Sequence, residues 1–434
     1  MSNESIFLII NLISLCATHF FCLPLRQRTI ELILFMSTLT IAIIVVFVLG
    51  YALIAMESLT KINKAAVALL MFVFCWVLYM VDPSPFVQLM HPEFKGIGDQ
   101  FVTFANKLIT EHLGDTATTL FFLMGAMTIV EIVDQNGGFN WVKDVMRSKS
   151  KRSLLWKIAF MTFFLSAILD NLTTSIVMIM ILRKLVQDHK DRMIYASLVI
   201  IAANSGGAFS PIGDVTTIML WNAGMITAGG VISEIFIPSL ISMIIPAFVL
   251  QFLLKGKLGG DMLETDHSGD TELLEFNGSQ RKIIFAIGVG GLCFVPVFHY
   301  FTDLPPFVGI LLVLGILWTI TEIFYRSLHR SKGDSEDFSK RVSNLLSRID
   351  MSTILFFLGI LMAVACLEEV GVLHELGGGL NSFFQGNHYA VTGVIGVLSS
   401  IVDNVPLVAG SMGMYPVQAT GDMAVDGIFW QLLA

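Results

Sequence analysis

Long apolar runs alternate with polar segments along most of this chain. A transmembrane helix needs about 20 predominantly apolar residues. The clear candidates are residues 6–23, 31–55, 64–81, 117–134, 231–254, 281–301, 305–325 and 352–370. Further long stretches at 154–182, 193–227 and 385–415 are interrupted by polar, glycine or proline residues. The pattern predicts an all-α polytopic membrane protein.

Composition supports this prediction. Hydrophobic residues make up 55% of the chain and charged residues 14%, whereas soluble domains carry about 25% charged residues. Mean hydropathy is +0.77. The chain has no long basic patch, so nucleic acid is not an expected partner. The first run, 6–23, lacks the basic segment and cleavage site of a signal peptide, and we interpret it as a span.

Positive charge predicts the orientation, since Lys and Arg concentrate in cytoplasmic loops. The segments 143–157 and 183–192 are both basic and are placed in the cytoplasm. The apolar stretch 154–182 between them therefore enters and leaves from the cytoplasm as a re-entrant hairpin. Its polar tip is the sequence Asp170-Asn171-Leu172-Thr173-Thr174.

The second interrupted stretch, 385–415, has the opposite expected orientation. The basic loop 326–348 is placed in the cytoplasm, span 352–370 runs outward, and no Lys or Arg follows Arg348. Stretch 385–415 then enters from outside, with its tip at Asp403-Asn404-Val405-Pro406. The polar region 86–115 is expected along the outer surface.

Two parts of the chain resemble each other. Ser166-Ala167-Ile168-Leu169-Asp170-Asn171 matches Ser399-Ser400-Ile401-Val402-Asp403-Asn404. With opposite orientations, this predicts an inverted-topology repeat, in which the substrate site lies near the midplane at broken helices. The predicted divisions are N-terminal spans 1–116, a first repeat 117–254 (with hairpin 154–182, broken helix 193–227 and span 231–254), an acidic cytoplasmic linker 255–280, and spans with a second repeat 281–434. The repeat's counterpart of Asn204 would lie past Ala434, so we expect the second copy to be truncated after hairpin 385–415.

Asp170 and Asp403 lie inside apolar runs. An ionised carboxylate at bilayer depth costs at least about 2.5 kcal/mol. It is tolerated where it faces a cavity, binds a cation or takes up a proton. The alternative is a carboxylate that only hydrogen-bonds helix ends and holds the hairpin together.

The segment 203–217 contains glycines and a proline that should break its helix. Freed carbonyl groups there, with Asn204, Ser205 and Ser210, are hard oxygen ligands suited to alkali cations; a ligand-free hinge is the alternative. Asp214 follows the break and either caps the second half-helix or ligates the ion. Glu131 and Asp134, near a span end, are either relay groups or plainly solvated.

The signs of these charges favour a transported cation. No Lys or Arg lies in 154–182 outside its basic flank, in 204–230 or after Arg348, whereas an anion site should present donors or basic residues. Burial disfavours a charged carboxylate and nearby Na⁺ favours it, so one aspartate alternately holding H⁺ or Na⁺ would produce exchange. The alternative is a Na⁺-coupled carrier of a carboxylate or oxyanion. No nucleophile–base pair, metal-ligand cluster or phosphate loop indicates an enzyme or a bound cofactor.

At these motifs the sequence resembles the NhaD family of sodium/proton antiporters, within the ion transporter superfamily. The resemblance implies a homodimer in the cytoplasmic membrane that exports Na⁺ or Li⁺ against inward H⁺. It implies a first ion site that joins the hairpin tip to the broken helix, with Na⁺ at Asp170, Asn171 and Asn204, and a second half-site at Asp403 and Asn404. The full set of implied cation- and proton-binding residues is Asp170, Asn171, Thr173, Thr174, Asn204, Ser205, Gly206, Ser210, Asp214, Asp403 and Asn404.

Overall fold

A computed structural model describes residues 38–146, 148, 150–254, 256, 276–332, 345–347, 349–400 and 403–434. The predicted span 6–23, the start of span 31–55, Arg147 and Lys149 of the basic loop, most of the acidic linker 255–280, most of the basic loop 326–348, and Ile401-Val402 of the second repeat motif lie outside the described residues.

The described residues form helices joined by short segments, together with one isolated β-bridge between Gln418 and Ala424. In chain order the helices are α1 Thr38–Ala55, α2 Glu57–Thr60, α3 Lys64–Val81, α4 Ser84–Met90, α5 Gln100–Gln135, α6 Asn140–Met146, α7 Lys151–Ser166, α8 Asn171–Leu185, α9 His189–Ala208, α10 Val215–Asn222, α11 Ala228–Leu250, α12 Gly278–Thr302, α13 Pro306–Lys332, α14 Met351–Glu369, α15 Val372–Phe383, α16 His388–Ser399, α17 Asn404–Met414 and α18 Ile428–Leu433.

Within the described part of the chain, seven helices are long and apolar enough to cross a membrane: α1, α3, α5, α11, α12, α13 and α14. They coincide with predicted spans, which confirms an all-helical, polytopic membrane protein. Helix α5 differs from the prediction, because it begins at Gln100 and runs for 36 residues. At 1.5 Å per residue it is about 54 Å long, which exceeds a hydrocarbon core of about 30 Å. The predicted surface region 86–115 therefore includes the first part of a spanning helix.

Helix α14 lies at the centre of one bundle, packed against α3, α5 and α17. Gly359 permits its close approach to α3, since a Cβ atom there would lie 2.5 Å from the carbonyl carbon of Ala68. The indole of Trp76 on α3 donates to the carbonyl of Met362 over 2.8 Å. Most residues of α14 are buried. Other helices rather than lipid therefore enclose this spanning helix.

A second group of helices comprises α7, α8, α9 and α11, in which α9 packs against the other three. Gly206 is the contact point of α9 with α7, because a Cβ atom at this position would lie only 2.1 Å from the carbonyl oxygen of Phe163. Ser166 donates its hydroxyl hydrogen to the carbonyl of Ala203 over 2.6 Å. These contacts fix the end of α7 against the last turns of α9.

The interrupted apolar stretches each form two helices rather than one. Stretch 154–182 gives α7 and α8, which contact one another across a four-residue connection, and 385–415 gives α16 and α17. Stretch 193–227 gives α9 and α10, and its predicted break lies at residues 209–214. The breaks bring most of the predicted site residues to helix ends. Asn204, Ser205 and Gly206, which were expected within the break, lie instead in the last turns of α9.

Candidate functional site

Asp170 connects α7 to α8 in an unusual backbone conformation. Its φ and ψ angles are 133° and 158°, a region that residues other than glycine rarely adopt and that costs about 1–3 kcal/mol. One carboxylate oxygen accepts from the backbone N–H of Thr173 and the other from the Thr173 hydroxyl, each over 2.7 Å. Asp170 and Thr173 thus form the N-terminal cap of α8. Hydrogen bonding to a helix end is one of the two roles that the sequence leaves open for Asp170.

Asn171 joins the hairpin to the broken helix. Its side-chain Nδ2 donates to Asn204 Oδ1 and to Asp214 Oδ2, both over 2.9 Å. Its backbone N–H donates to the carbonyl of Gly213 over 3.1 Å. Three of the predicted ligands, from α8, α9 and the break, therefore meet at one amide group.

The break itself is held in a compact form by its glycines and by Asp214. A Cβ atom on Gly207 would lie 2.5 Å from the carbonyl oxygen of Gly213, so the two sides of the break touch backbone to backbone. Asp214 is buried and caps α10, accepting from the N–H of Thr216 over 3.4 Å. Its other oxygen accepts from Asn171, so the carboxylate both caps the half-helix and faces the hairpin tip.

Other predicted ligands have different surroundings. The Ser205 hydroxyl donates to Ser242 of α11 over 3.2 Å. Ser210 is buried, and its hydroxyl oxygen accepts from the N–H of Ile212 over 3.4 Å. The hydroxyl of Thr174 is fully buried and has no hydrogen-bond partner among the described residues. Gly206 contributes close packing of α9 against α7.

A cavity of about 520 Å³ brings the two predicted half-sites together. Asn204 of α9 and Asp214 of the break line one side of it, and Asp403 and Asn404 at the start of α17 line the other. Helix α10 packs against α17 beside this cavity. The structure therefore places oxygen ligands from both interrupted segments around one space.

Asp403 differs from the prediction in one respect. It caps α17, accepting from the N–H of Val405 over 3.2 Å, as Asp170 caps α8. Its Oδ2 also lies 3.5 Å from the ammonium Nζ of Lys64 at the start of α3. The expectation that neither hairpin aspartate has a basic partner is therefore wrong for Asp403. Asp170 and Asp214 form no ion pair within the described part of the chain.

The predicted relay residues lie apart from the lining of this cavity. Glu131 accepts a hydrogen bond from the side-chain amide of Gln135, one turn further along α5, over 3.0 Å. Asp134 lies in the same last turns of α5. Their relay function stays a prediction.

Two histidines that no sequence motif singles out hold Glu369 at the end of α14. Glu369 is buried, and its carboxylate oxygens lie 2.9 Å from Nε2 of His91 and 2.7 Å from Nε2 of His112. His91 follows α4 and His112 lies on α5. No spacing in the sequence links the two histidines to each other or to Glu369.

Comparisons with known proteins agree with the motif resemblance. The family model for citrate transporters, CitMHS, matches residues 51–434. Sodium/proton antiporter 2 of Arabidopsis thaliana is 39% identical over 390 residues, which cover 89% of this chain and 85% of that protein. Sodium/proton antiporter 1 of the same plant is 40% identical over 394 residues, 91% of this chain but only 63% of the relative.

The bacterial protein Na⁺/H⁺ antiporter NhaD of Vibrio cholerae is 26% identical over 411 residues, covering 89% of this chain and 80% of the relative. The chain thus matches plant and bacterial antiporters across most of its own length. The residues that the family model matches include α7 to α10, α16 and α17. The chain belongs to the citrate transporter family, and the relatives that it resembles include these sodium/proton antiporters and NhaD.

Proposed function

We propose that this protein is a secondary active transporter that exchanges Na⁺ or Li⁺ for H⁺. The observation that carries the proposal is the cavity that Asp214 and Asp403 line from two separate interrupted segments. Carboxylate and amide oxygens are the ligands that hard cations prefer. The printed names of the plant and bacterial relatives support the same exchange.

The geometry around Asn171 supports a cation site. Asn204 Oδ1 and Asp214 Oδ2 both point at the Asn171 amide nitrogen. A cation that took the place of this donor would meet the same two oxygens. Rotation of the Asn171 amide by half a turn would present its own oxygen as a third ligand. The three side chains then form an oxygen site that opens when the amide turns.

Proton coupling follows from the same carboxylates. A buried aspartate is stable when it is protonated or when a cation compensates its charge. Asp214 cannot bind H⁺ and Na⁺ well at the same time, and Asp170 beside it is subject to the same competition. If the hairpin moves only when this charge is neutralised, the two ions exchange across the membrane.

The architecture that we propose has two re-entrant hairpins, α7–α8 and α16–α17, in inverted repeats. Its support is that Asp170 and Asp403 cap the second helix of each pair at matching positions of the repeated sequence. Positive charge favours entry of the first hairpin from the cytoplasm. The family resemblance favours a homodimer in the cytoplasmic membrane.

Na⁺-coupled uptake of a carboxylate is the second candidate, and the name of the family model is its support. A carboxylate substrate requires hydrogen-bond donors or positive charge. The charged groups on the cavity wall are the acids Asp214 and Asp403, and the ammonium of Lys64 already faces Asp403. Cation exchange therefore fits the described wall better.

Everted membrane vesicles test the proposal. A preformed pH gradient is followed with an acridine dye, and separate samples receive NaCl, LiCl, KCl, sodium-free citrate, or citrate together with NaCl. Exchange predicts that Na⁺ and Li⁺ dissipate the gradient and that K⁺ and citrate do not. A response that requires citrate and Na⁺ together would overturn the exchange in favour of carboxylate uptake.

A further inference from the structure

The pairing of Lys64 with Asp403 joins two parts of the molecule that lie far apart in the sequence. Lys64 is the first residue of α3, and Asp403 caps α17 in the second hairpin. The Nζ and Oδ2 atoms are 3.5 Å apart, and each side chain is about one-third exposed, at 36% and 28%. The pair is therefore not locked in the protein core.

The ammonium of Lys64 has a second contact that orients it. It lies 4.2 Å from the centre of the Phe356 ring on α14, within the range of a cation–π attraction. The ring and the carboxylate hold the charge between the α3–α14 bundle and the tip of the hairpin. Helix energetics do not explain a lysine here, since the start of a helix disfavours positive charge.

Asp403 is also part of the wall of the shared cavity, with Asp214 and Asn404. Any cation that enters this cavity meets a carboxylate that already has a positive partner. The ammonium of Lys64 would therefore compete with a small cation, because both bind the same carboxylate oxygen atoms. Partly exposed ion pairs are weak, so a transported ion can displace the lysine.

We propose that Lys64 is a tethered cation that competes with the transported ion for Asp403 and thereby sets the apparent affinity of the second half-site. The inference rests on the proposed cation exchange. With no ion bound, the ammonium compensates Asp403 and holds hairpin α16–α17 against α3 and α14. When Na⁺ binds at Asp403, the ammonium leaves the carboxylate and the hairpin loses this contact.

The first test measures the Na⁺ concentration that gives half-maximal dissipation of the pH gradient in everted vesicles. Lys64→Gln removes the competitor and should lower this concentration about two- to five-fold, the affinity equivalent of a weak ion pair. Lys64→Arg keeps the charge and should restore the original value. Lys61→Gln alters an exposed lysine three residues earlier and serves as the matched control.

The second test uses the unmutated protein, so it does not depend on the folding of a variant. Reductive methylation of purified protein, read by peptide mass spectrometry, reports how freely each lysine reacts. NaCl should raise the methylation rate of Lys64 about two- to five-fold relative to KCl, while Lys61 in the same sample stays constant. In Asp403→Asn the rate at Lys64 should be high with either salt.

The outcomes separate the two proposals. If the vesicles exchange Na⁺ for H⁺ but Lys64→Gln leaves the half-maximal concentration unchanged and Na⁺ does not alter methylation, Lys64 is a structural partner and the inference is overturned, while the exchange stands. If the unmutated protein responds to Na⁺ in neither assay, the exchange fails and the inference fails with it.

Discussion

The side-chain nitrogen of Asn171 lies 2.9 Å from a carboxylate oxygen of Asp214, and this bond links the tip of the first hairpin to the break in the neighbouring helix. The same nitrogen donates to Asn204 over 2.9 Å. Motion of the hairpin relative to α9 and α10 must therefore break or replace these bonds. Under the proposed exchange, a cation that bound to the two oxygens would replace these bonds, which would link ion binding to the position of the hairpin.

Asp214→Asn should weaken cation binding while the local fold remains. Asparagine still caps a helix N-terminus about as well as aspartate, but the negative ligand is lost. A contact to a charged group contributes about 1.5–3 kcal/mol, so we expect the half-maximal Na⁺ concentration for dissipating the pH gradient to rise at least about tenfold.

The control for this variant is Asp188→Asn. Asp188 is exposed and caps α9, accepting from the N–H of Asp191 over 2.9 Å. The substitution is chemically identical, and its position is at the other end of the broken helix from the cavity. If both variants lose the Na⁺ response to a similar extent, the loss of the cap explains the effect and Asp214 is not a cation ligand.

Asp170→Asn should abolish exchange in a protein that still folds and inserts. The variant keeps an acceptor for the N–H of Thr173 but cannot carry a negative charge or release a proton. We expect Na⁺-dependent proton movement to fall to the background of vesicles without the protein, with the thermal unfolding midpoint in detergent little changed. Unchanged proton movement would remove Asp170 from the mechanism.

The chain supplies a close control in Asp350. It caps α14 and accepts from both the N–H and the hydroxyl of Thr353, at 3.2 and 2.6 Å, as Asp170 does with Thr173. This cap is exposed and lies outside the candidate site. Asp350→Asn should therefore retain full exchange, and any loss of stability that the two variants share measures the cap alone.

Hydropathy predicted the spans because the bilayer imposes a minimum length of apolar residues. Span 64–81 was predicted with the bounds at which α3 begins and ends, Lys64 and Val81. The start of α5 was missed because residues 100–116 are polar enough to resemble a surface segment. Hydropathy does not report whether a helix continues beyond the apolar residues. Glycine, proline and aspartate positions predicted where helices break, since those residues act locally.

Contacts between distant helices could not be predicted in the same way. The family resemblance implied that Asp170, Asn171 and Asp214 lie near one another, because it places a hairpin tip against a broken helix. The pairing of Lys64 with Asp403 depends instead on how α3 packs beside the second hairpin. One sequence carries no periodicity or spacing that encodes such packing.

Gly206→Ala should damage both stability and transport. A Cβ atom at Gly206 would lie 2.1 Å from the backbone carbonyl oxygen of Phe163, so α7 and α9 would have to separate. Overpacking of this kind costs about 1–3 kcal/mol, and the shift would move Asn204 away from Asn171. We expect a lower thermal unfolding midpoint and a reduced rate of Na⁺-dependent proton movement.

Gly290→Ala is the matched control, because a Cβ atom there meets no heavy atom within 4 Å. It lies within α12, where alanine favours the helix by about 1 kcal/mol over glycine. This variant should be as stable as the unmutated protein or more so. If the two variants have the same unfolding midpoint and the same rate of proton movement, α7 can move away from α9 without loss of stability, and Gly206 is not a packing constraint.

Glu369→Ala should destabilise the protein through the two histidines that it leaves behind. The carboxylate lies within 2.9 Å of His91 and 2.7 Å of His112, so its removal unpairs two ring nitrogens in a site that is largely shielded from water. A buried polar group without a partner costs about 1–3 kcal/mol, and the thermal unfolding midpoint in detergent should fall accordingly. Glu375→Ala, at an exposed glutamate on α15, should change stability by no more than about 0.5 kcal/mol. If the two variants unfold at the same temperature, the histidine contacts do not hold α14 to α5 and to the segment after α4.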